Sequence, residues 1–157
     1  MKIVLLTVGK TTNNYIIKLQ DEYQNRLKFY IPFEQTVIPE LKNTKSLSIT
    51  EQLEKEADLI LKQVELNDHV VLLDEKGIQF TSVAFSEFIA KKIMASHKRL
   101  IFVVGGPYGF SERVYQRANN KISLSTMTFS HQMVRLIFVE QLYRALTILK
   151  GEPYHHE

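Results

Sequence analysis

The chain of 157 residues contains no cysteine. That absence excludes disulfides and thiolate metal sites, and it fits a reducing compartment. Long apolar runs are missing as well. Stretches such as Ile3–Leu6 and Leu100–Val104 fall far short of the roughly 20 residues that span a bilayer. The apolar start Met1–Leu6 is followed at once by Gly9, Lys10 and a polar stretch, too short a core for an export signal. The cytoplasm is therefore the expected location, with no membrane partner. There is no linker, low-complexity tract or internal repeat, so one domain over residues 1–157 is expected. No segment is a polybasic arm. Twenty basic and 17 acidic side chains give a net charge of +3, which permits an RNA partner without arguing for one.

What the chain does contain is patterned like a globular protein, with 45% hydrophobic and 24% charged residues. Lys2–Val8, Phe33–Pro39, His69–Leu73, Arg99–Val104 and Lys121–Leu124 are apolar or β-branched runs that predict strands. Between them, apolar residues at helical spacing predict helices over Asn14–Tyr30, Thr50–Leu66 (capped by Thr50), Ser82–Ser96, Ser111–Ala118 and Ser130–Lys150. In the third of these, Phe85, Phe88, Ile89, Ile93 and Met94 are expected to point inward. Pro32 is expected to close the first helix and Gly151 the last. Strands alternating with helices imply an α/β fold, a parallel sheet with helices on both faces. The last helix is apolar nearly all round, which needs burial on two sides. A second copy of the chain is the expected cover for one of them.

Three segments carry the candidate chemistry. Gly105-Gly106-Pro107-Tyr108-Gly109 follows a buried strand at its carboxyl end, where open α/β sheets bind ligands. It lacks the Lys-Ser/Thr of a phosphate-binding loop and the spacing of a dinucleotide fingerprint. Leu124-Ser125-Thr126-Met127-Thr128-Phe129 is an uncharged loop of hydroxyl and apolar residues, suited to a flat neutral ligand such as adenine or to a capping segment under the core. The tail Tyr154-His155-His156 holds an aromatic beside a histidine, able to stack on a base and move a proton or simply to fray. Adjacent histidines without further ligands do not argue for a metal. Arg135, set among apolar neighbours, needs an acceptor such as a carboxylate or phosphate. Glu140 and Arg144, four apart, read as an intrahelical ion pair of small value.

Taken together these segments resemble one family. They are Met1-Lys2-Ile3 with Val8-Gly9-Lys10, Val103 to Gly109, Leu124 to Arg135, Glu140-Gln141-Leu142-Tyr143-Arg144-Ala145, and Tyr154-His155, in order and at matching length. The chain is similar to SPOUT methyltransferases, and among them to bacterial enzymes that methylate N3 of a pseudouridine in large-subunit (23S) ribosomal RNA. The resemblance implies a SPOUT α/β knot, with the C-terminal segment threaded into a trefoil, and a homodimer acting on the assembled ribosome. It implies S-adenosyl-L-methionine as cofactor, with Leu73, Gly105, Leu124, Ser125, Thr126, Met127, Thr128 and Phe129 lining its pocket and no metal needed. His155 is then the candidate base, Tyr154 a stacking or orienting group, and Arg135 a contact to phosphate or an imide oxygen. His156 departs from the family pattern and leaves open which tail histidine matters. A nucleotide-binding or hydrolytic α/β enzyme and a non-catalytic ribosome-binding module remain as alternatives.

Overall fold

The computed structural model describes residues 1–156. Its elements alternate along the chain: β1 (Lys2–Val8), α1 (Asn14–Leu27), β2 (Phe33–Ile38), α2 (Ile49–Lys62), β3 (His69–Gln79), α3 (Ser82–Met94), β4 (Arg99–Val104), α4 (Glu112–Arg117), β5 (Asn120–Ser123) and α5 (Met133–Leu149). All strand pairings are parallel, in the order β2-β1-β4-β3-β5. Successive side chains of a strand point to opposite faces. Ile3 and Leu5 of β1, with Leu100 and Phe102 of β4, therefore join α3 and α5 in one core. Val4, Leu6 and Val8, with Ile101 and Val103, join α2 and α4 in the other. This is why β1 and β4 read as continuous apolar runs: both of their faces are covered.

Several boundaries differ from the sequence reading, each for a local reason. Helix α1 stops at Leu27, because the amides of Tyr30 and Ile31 both turn back to the Leu27 carbonyl; Pro32 comes after the end and does not cause it. The cap of α2 is Ser48, not Thr50. Its hydroxyl accepts from the Glu51 amide at 3.1 Å while the Glu51 carboxylate accepts from the Ser48 amide at 2.8 Å, a reciprocal capping box. The same helix ends at Lys62, and Asp68, which accepts from the Glu65 amide at 2.7 Å and pairs with Arg99, turns the chain into β3. On α3, Met94 is 74% exposed and Ile93 is also at the surface, although both were expected inside. Only the Phe85 and Ile89 side of that helix reaches the core.

The β3 strand is longer than the apolar run that announces it. Leu73 and Ile78 both pair with Ile122 of β5, so residues 74–77 bulge out between them. A Cβ at Gly77 would lie 2.5 Å from the Ile122 nitrogen and 2.6 Å from the Lys121 carbonyl carbon. Backbone cannot retreat as a side-chain tip can. Gly77→Ala is thus expected to lower stability by about 1–3 kcal/mol, read as a lower urea midpoint at unchanged slope. A midpoint equal to wild type would show that the bulge yields.

Helix α5 lies between α1 and α3, with Phe138, Val139, Leu142, Ala145 and Leu146 buried. Much of its apolar circumference is therefore covered within the chain, more than its composition suggested. Leu136, Ile137, Tyr143 and Ile148 stay half-buried, and Met133 and Leu149 are exposed.

Candidate active site

Beside the bulge of β3 and at the carboxyl ends of β4 and β5 the chain opens a cleft of about 650 Å³, within the range of small-molecule sites. One wall is Leu73 with the bulge residues Asp74, Glu75 and Lys76. Another is the loop after β4, from Gly105 to Phe110. The floor and third wall come from Ile122 and Ser123, the loop that follows β5, and His131 and Val134 at the start of α5. Tyr115 of α4 completes the lining.

Of the expected pocket residues, Leu73, Gly105, Leu124, Ser125, Met127, Thr128 and Phe129 are brought together here, from three parts of the chain. Thr126 is not among the lining residues. The uncharged loop is tied by its own hydroxyls: Ser123 Oγ donates to the Ser125 carbonyl at 2.9 Å, and Ser125 Oγ accepts from the Met127 amide at 2.9 Å. Ser130 Oγ accepts from the Met133 amide at 3.1 Å, so α5 starts three residues later than its apolar pattern suggests and the loop stays open to the cleft. Met127 is 76% exposed, with no cover from its own chain.

The glycine loop is closed by a turn. The Gly109 amide donates to the Gly106 carbonyl at 3.2 Å, and Gly109 takes a φ of +79°, which favours glycine. Gly105 has a different constraint. A Cβ there would meet the Phe110 ring at 2.9 Å and the Gly109 carbonyl at 3.0 Å. The collision is with the loop itself, so the residue shapes the wall and does more than leave room in front of it. Below the loop lies Glu56 of α2, buried, with its carboxylate 3.2 Å from where a Gly106 Cβ would stand. Burial pushes that carboxyl above its ordinary range, Gln52 opposes this, and nearby Glu40 adds to it. Gly105→Val is expected to distort the wall and weaken binding of a small-molecule ligand in the cleft about 10- to 100-fold while the chain still melts cooperatively. Calorimetry that returned wild-type affinity would remove Gly105 from the site.

Arg135 is not at the cleft. It is fully buried and donates to the Val8 carbonyl at 2.7 Å, the Gly9 carbonyl at 2.9 Å and Thr11 Oγ1 at 3.0 Å. Gln132, one turn earlier, accepts from the Thr12 and Asn13 amides and donates to Thr12 Oγ1. The acceptor that Arg135 demanded is thus the end of β1, and the expected phosphate or imide-oxygen contact is corrected to an anchoring role. Carbonyl oxygens exposed where a parallel strand ends need donors, and α5 supplies them.

The tail is docked, not frayed. Tyr154 donates to Glu140 Oε1 at 3.0 Å, and the Tyr23 hydroxyl lies 3.1 Å from its oxygen. Its ring packs edge-on against Tyr143 at 4.8 Å, beneath the Arg144 guanidinium at 4.7 Å. Arg144 also pairs with Glu140 at 2.6 Å and places Nη1 3.3 Å from His155 Nδ1. Glu140 and Arg144 therefore form more than an intrahelical pair: they hold both tail residues. Burial, the Tyr23 bond and the Glu140 bond together keep the Tyr154 phenol well above its ordinary range, so it remains a donor. None of these tail residues lines the cleft of its own chain. Sequence reading missed Tyr115 and Asp74 as lining residues, and a short helix carries no signal that one of its residues faces a site.

Comparison with known proteins gives the family. A family model described as "Predicted SPOUT methyltransferase" matches residues 1–155. A protein of Parabacteroides distasonis named ribosomal RNA large subunit methyltransferase H is 61% identical over 157 residues, covering all of both chains. Proteins of the same name from Bacteroides thetaiotaomicron and Flavobacterium johnsoniae are 58% and 55% identical, again over the whole of both chains. No helix of the described residues is long and apolar enough to cross a membrane, and no group of three or more metal-binding side chains occurs among them. With the alternating parallel α/β architecture, a cleft built by the β3 bulge and the loops after β4 and β5, and a match that runs through almost every residue, the chain belongs to the SPOUT methyltransferase family.

Proposed function

We propose that this chain is a cytoplasmic, S-adenosylmethionine-dependent methyltransferase of large-subunit ribosomal RNA, methylating N3 of a pseudouridine in the assembled ribosome as a homodimer. The observation that carries this reading is the full-length identity to ribosomal RNA large subunit methyltransferases. The cleft fits such a cofactor. Its volume suits a nucleoside with an amino-acid arm, Leu73, Leu124, Met127 and Phe129 offer apolar cover, and Gly105 keeps the β4 wall thin. A bound sulfonium donor supplies an activated methyl group, and the chain's residues then have to align the acceptor and remove its proton.

An imide nitrogen is a poor nucleophile until it loses its proton, so a base nearby helps. His155 is the proposed base and Tyr154 the orienting group, both held by Glu140 and Arg144. Because they lie outside the cleft of their own chain, the homodimer is the natural way to present them to a bound base. The half-buried Leu136, Ile137 and Ile148 on α5 are apolar surface for that contact. The trefoil path belongs to the same reading. The decisive experiment is methyl transfer from labelled S-adenosylmethionine to purified ribosomes, compared with free ribosomal RNA. Label in a large-subunit pseudouridine of ribosomes is the expected result. No transfer to either substrate, with the cofactor bound, would leave a ribosome-binding module instead.

A further inference from the structure

The bulge between Leu73 and Ile78 places one carboxylate in the cleft with an arrangement its local turn does not require. Asp74 Oδ1 accepts from the Lys76 amide at 2.8 Å, which is the ordinary side-chain turn for an aspartate two residues earlier. Its other oxygen, Oδ2, accepts from the Tyr115 hydroxyl. Tyr115 comes from α4, 41 residues away, and both residues line the cleft. The Tyr115 ring is itself fixed, edge-on to Phe110 at 5.8 Å and beneath the Lys121 ammonium at 5.3 Å. Burial first, and then the Asp74 bond, hold the phenol well above its ordinary range. It therefore stays a donor to the Asp74 carboxylate oxygen. The lining also holds Glu75, Lys76 and His131. No salt bridge engages Asp74 among the described residues.

We propose that Asp74, oriented by Tyr115, is a specificity-determining residue of the cofactor site, the counter-charge to a cationic group of the methyl donor. This rests on the methyl-donor reading of the cleft. A methyl sulfonium donor carries positive charge at sulfur and at its α-amino group. A half-buried carboxylate with two oxygens already oriented meets such charge without having to reorganise. Lys121 above the Tyr115 ring limits the field without pairing with the carboxylate itself. The bond from Tyr115 also links the bulge to the wall beside Gly109, whose added Cβ would stand 3.8 Å from the Tyr115 hydroxyl. Charge and wall position are thus coupled.

Calorimetry of wild type, Asp74→Asn and Tyr115→Phe with three ligands tests this. The ligands are S-adenosylmethionine, S-adenosylhomocysteine and methylthioadenosine, which has neither the sulfonium nor the amino acid. Asparagine keeps the shape and the bond from the Lys76 amide but removes the charge. Asp74→Asn is expected to weaken S-adenosylmethionine about 10- to 100-fold and leave methylthioadenosine within about 2-fold. Tyr115→Phe should show the same selectivity with a smaller loss. Loss of S-adenosylhomocysteine affinity as well would place the charge at the α-ammonium, whereas its retention would place it at sulfur; both support the assignment. Unchanged S-adenosylmethionine affinity, or equal weakening of all three ligands in a folded variant, would overturn it. A wild-type chain that binds none of the three would overturn the methyl-donor reading itself, and this assignment with it.

Discussion

Removal of Tyr154 to Glu157 is expected to lower methyl transfer to ribosomes by orders of magnitude while cofactor affinity changes far less. The cleft owes its walls to Leu73, Gly105 and the loop after β5, and none of the described tail residues lines it. Stability should fall as well, contrary to what a frayed end would show. The Tyr154 contacts to Tyr23, Tyr143 and Glu140 are lost together, and Glu140 keeps only Arg144 and its neighbour Gln141. His155→Ala separates chemistry from docking. A general base contributes about 10²- to 10⁴-fold, and part of that loss should return at high pH, where the imide ionises unaided. Tyr154→Phe keeps the ring and loses the bond to Glu140, so it should cost stability more than rate if stacking is its role. Mixed dimers of the tail-deleted chain with Gly105→Val chains should regain activity that neither has alone, if a tail serves the opposite cleft. Ribosome methylation by the tail deletion at the wild-type rate would return these residues to a structural part.

Arg135→Met should be the most destabilising single change outside the apolar core, on the order of 3 kcal/mol. Methionine fills much of the volume but leaves the Val8 and Gly9 carbonyls without their donor in a place water does not reach. Burial already pushes the guanidinium below its usual range, against the pull of Glu40, so the site depends on hydrogen bonds more than on a paired charge. Arg135→Lys should recover part of the loss, since an ammonium reaches one carbonyl but cannot fork to both strand-end oxygens and Thr11. Urea unfolding of the three proteins reads the order directly. An Arg135→Met chain as stable as wild type, but inactive, would restore the RNA-contact role that the buried position argues against.

How much of this was written in the chain depends on the range of the interactions involved. Strand Arg99–Val104 was legible to the residue, because burial on both faces leaves an unbroken apolar run that needs no partner to be recognised. The loops that line the cleft were legible as candidates too, but through resemblance more than chemistry. An uncharged stretch such as Leu124–Phe129 reads equally well as a capping segment until β3, β4 and β5 converge on it. Arg135 shows the limit most clearly. Its sequence neighbours demanded an acceptor without saying which, and the answer lies 126 residues away at Gly9. The length of β3 failed for a related reason: Asp74-Glu75-Lys76-Gly77 has the composition of a turn, and only pairing with Ile122 on both sides makes it a bulge within a strand. The tail was composed like a frayed end and is instead seated by Tyr23, Glu140, Tyr143 and Arg144. The sequence alone determined the α/β class, the two-sided core and the family, because periodic burial and ordered motifs are local properties. Which polar side chains meet was decided by the tertiary structure, since a hydrogen bond needs two groups within about 3 Å and only the folded chain brings distant residues that close.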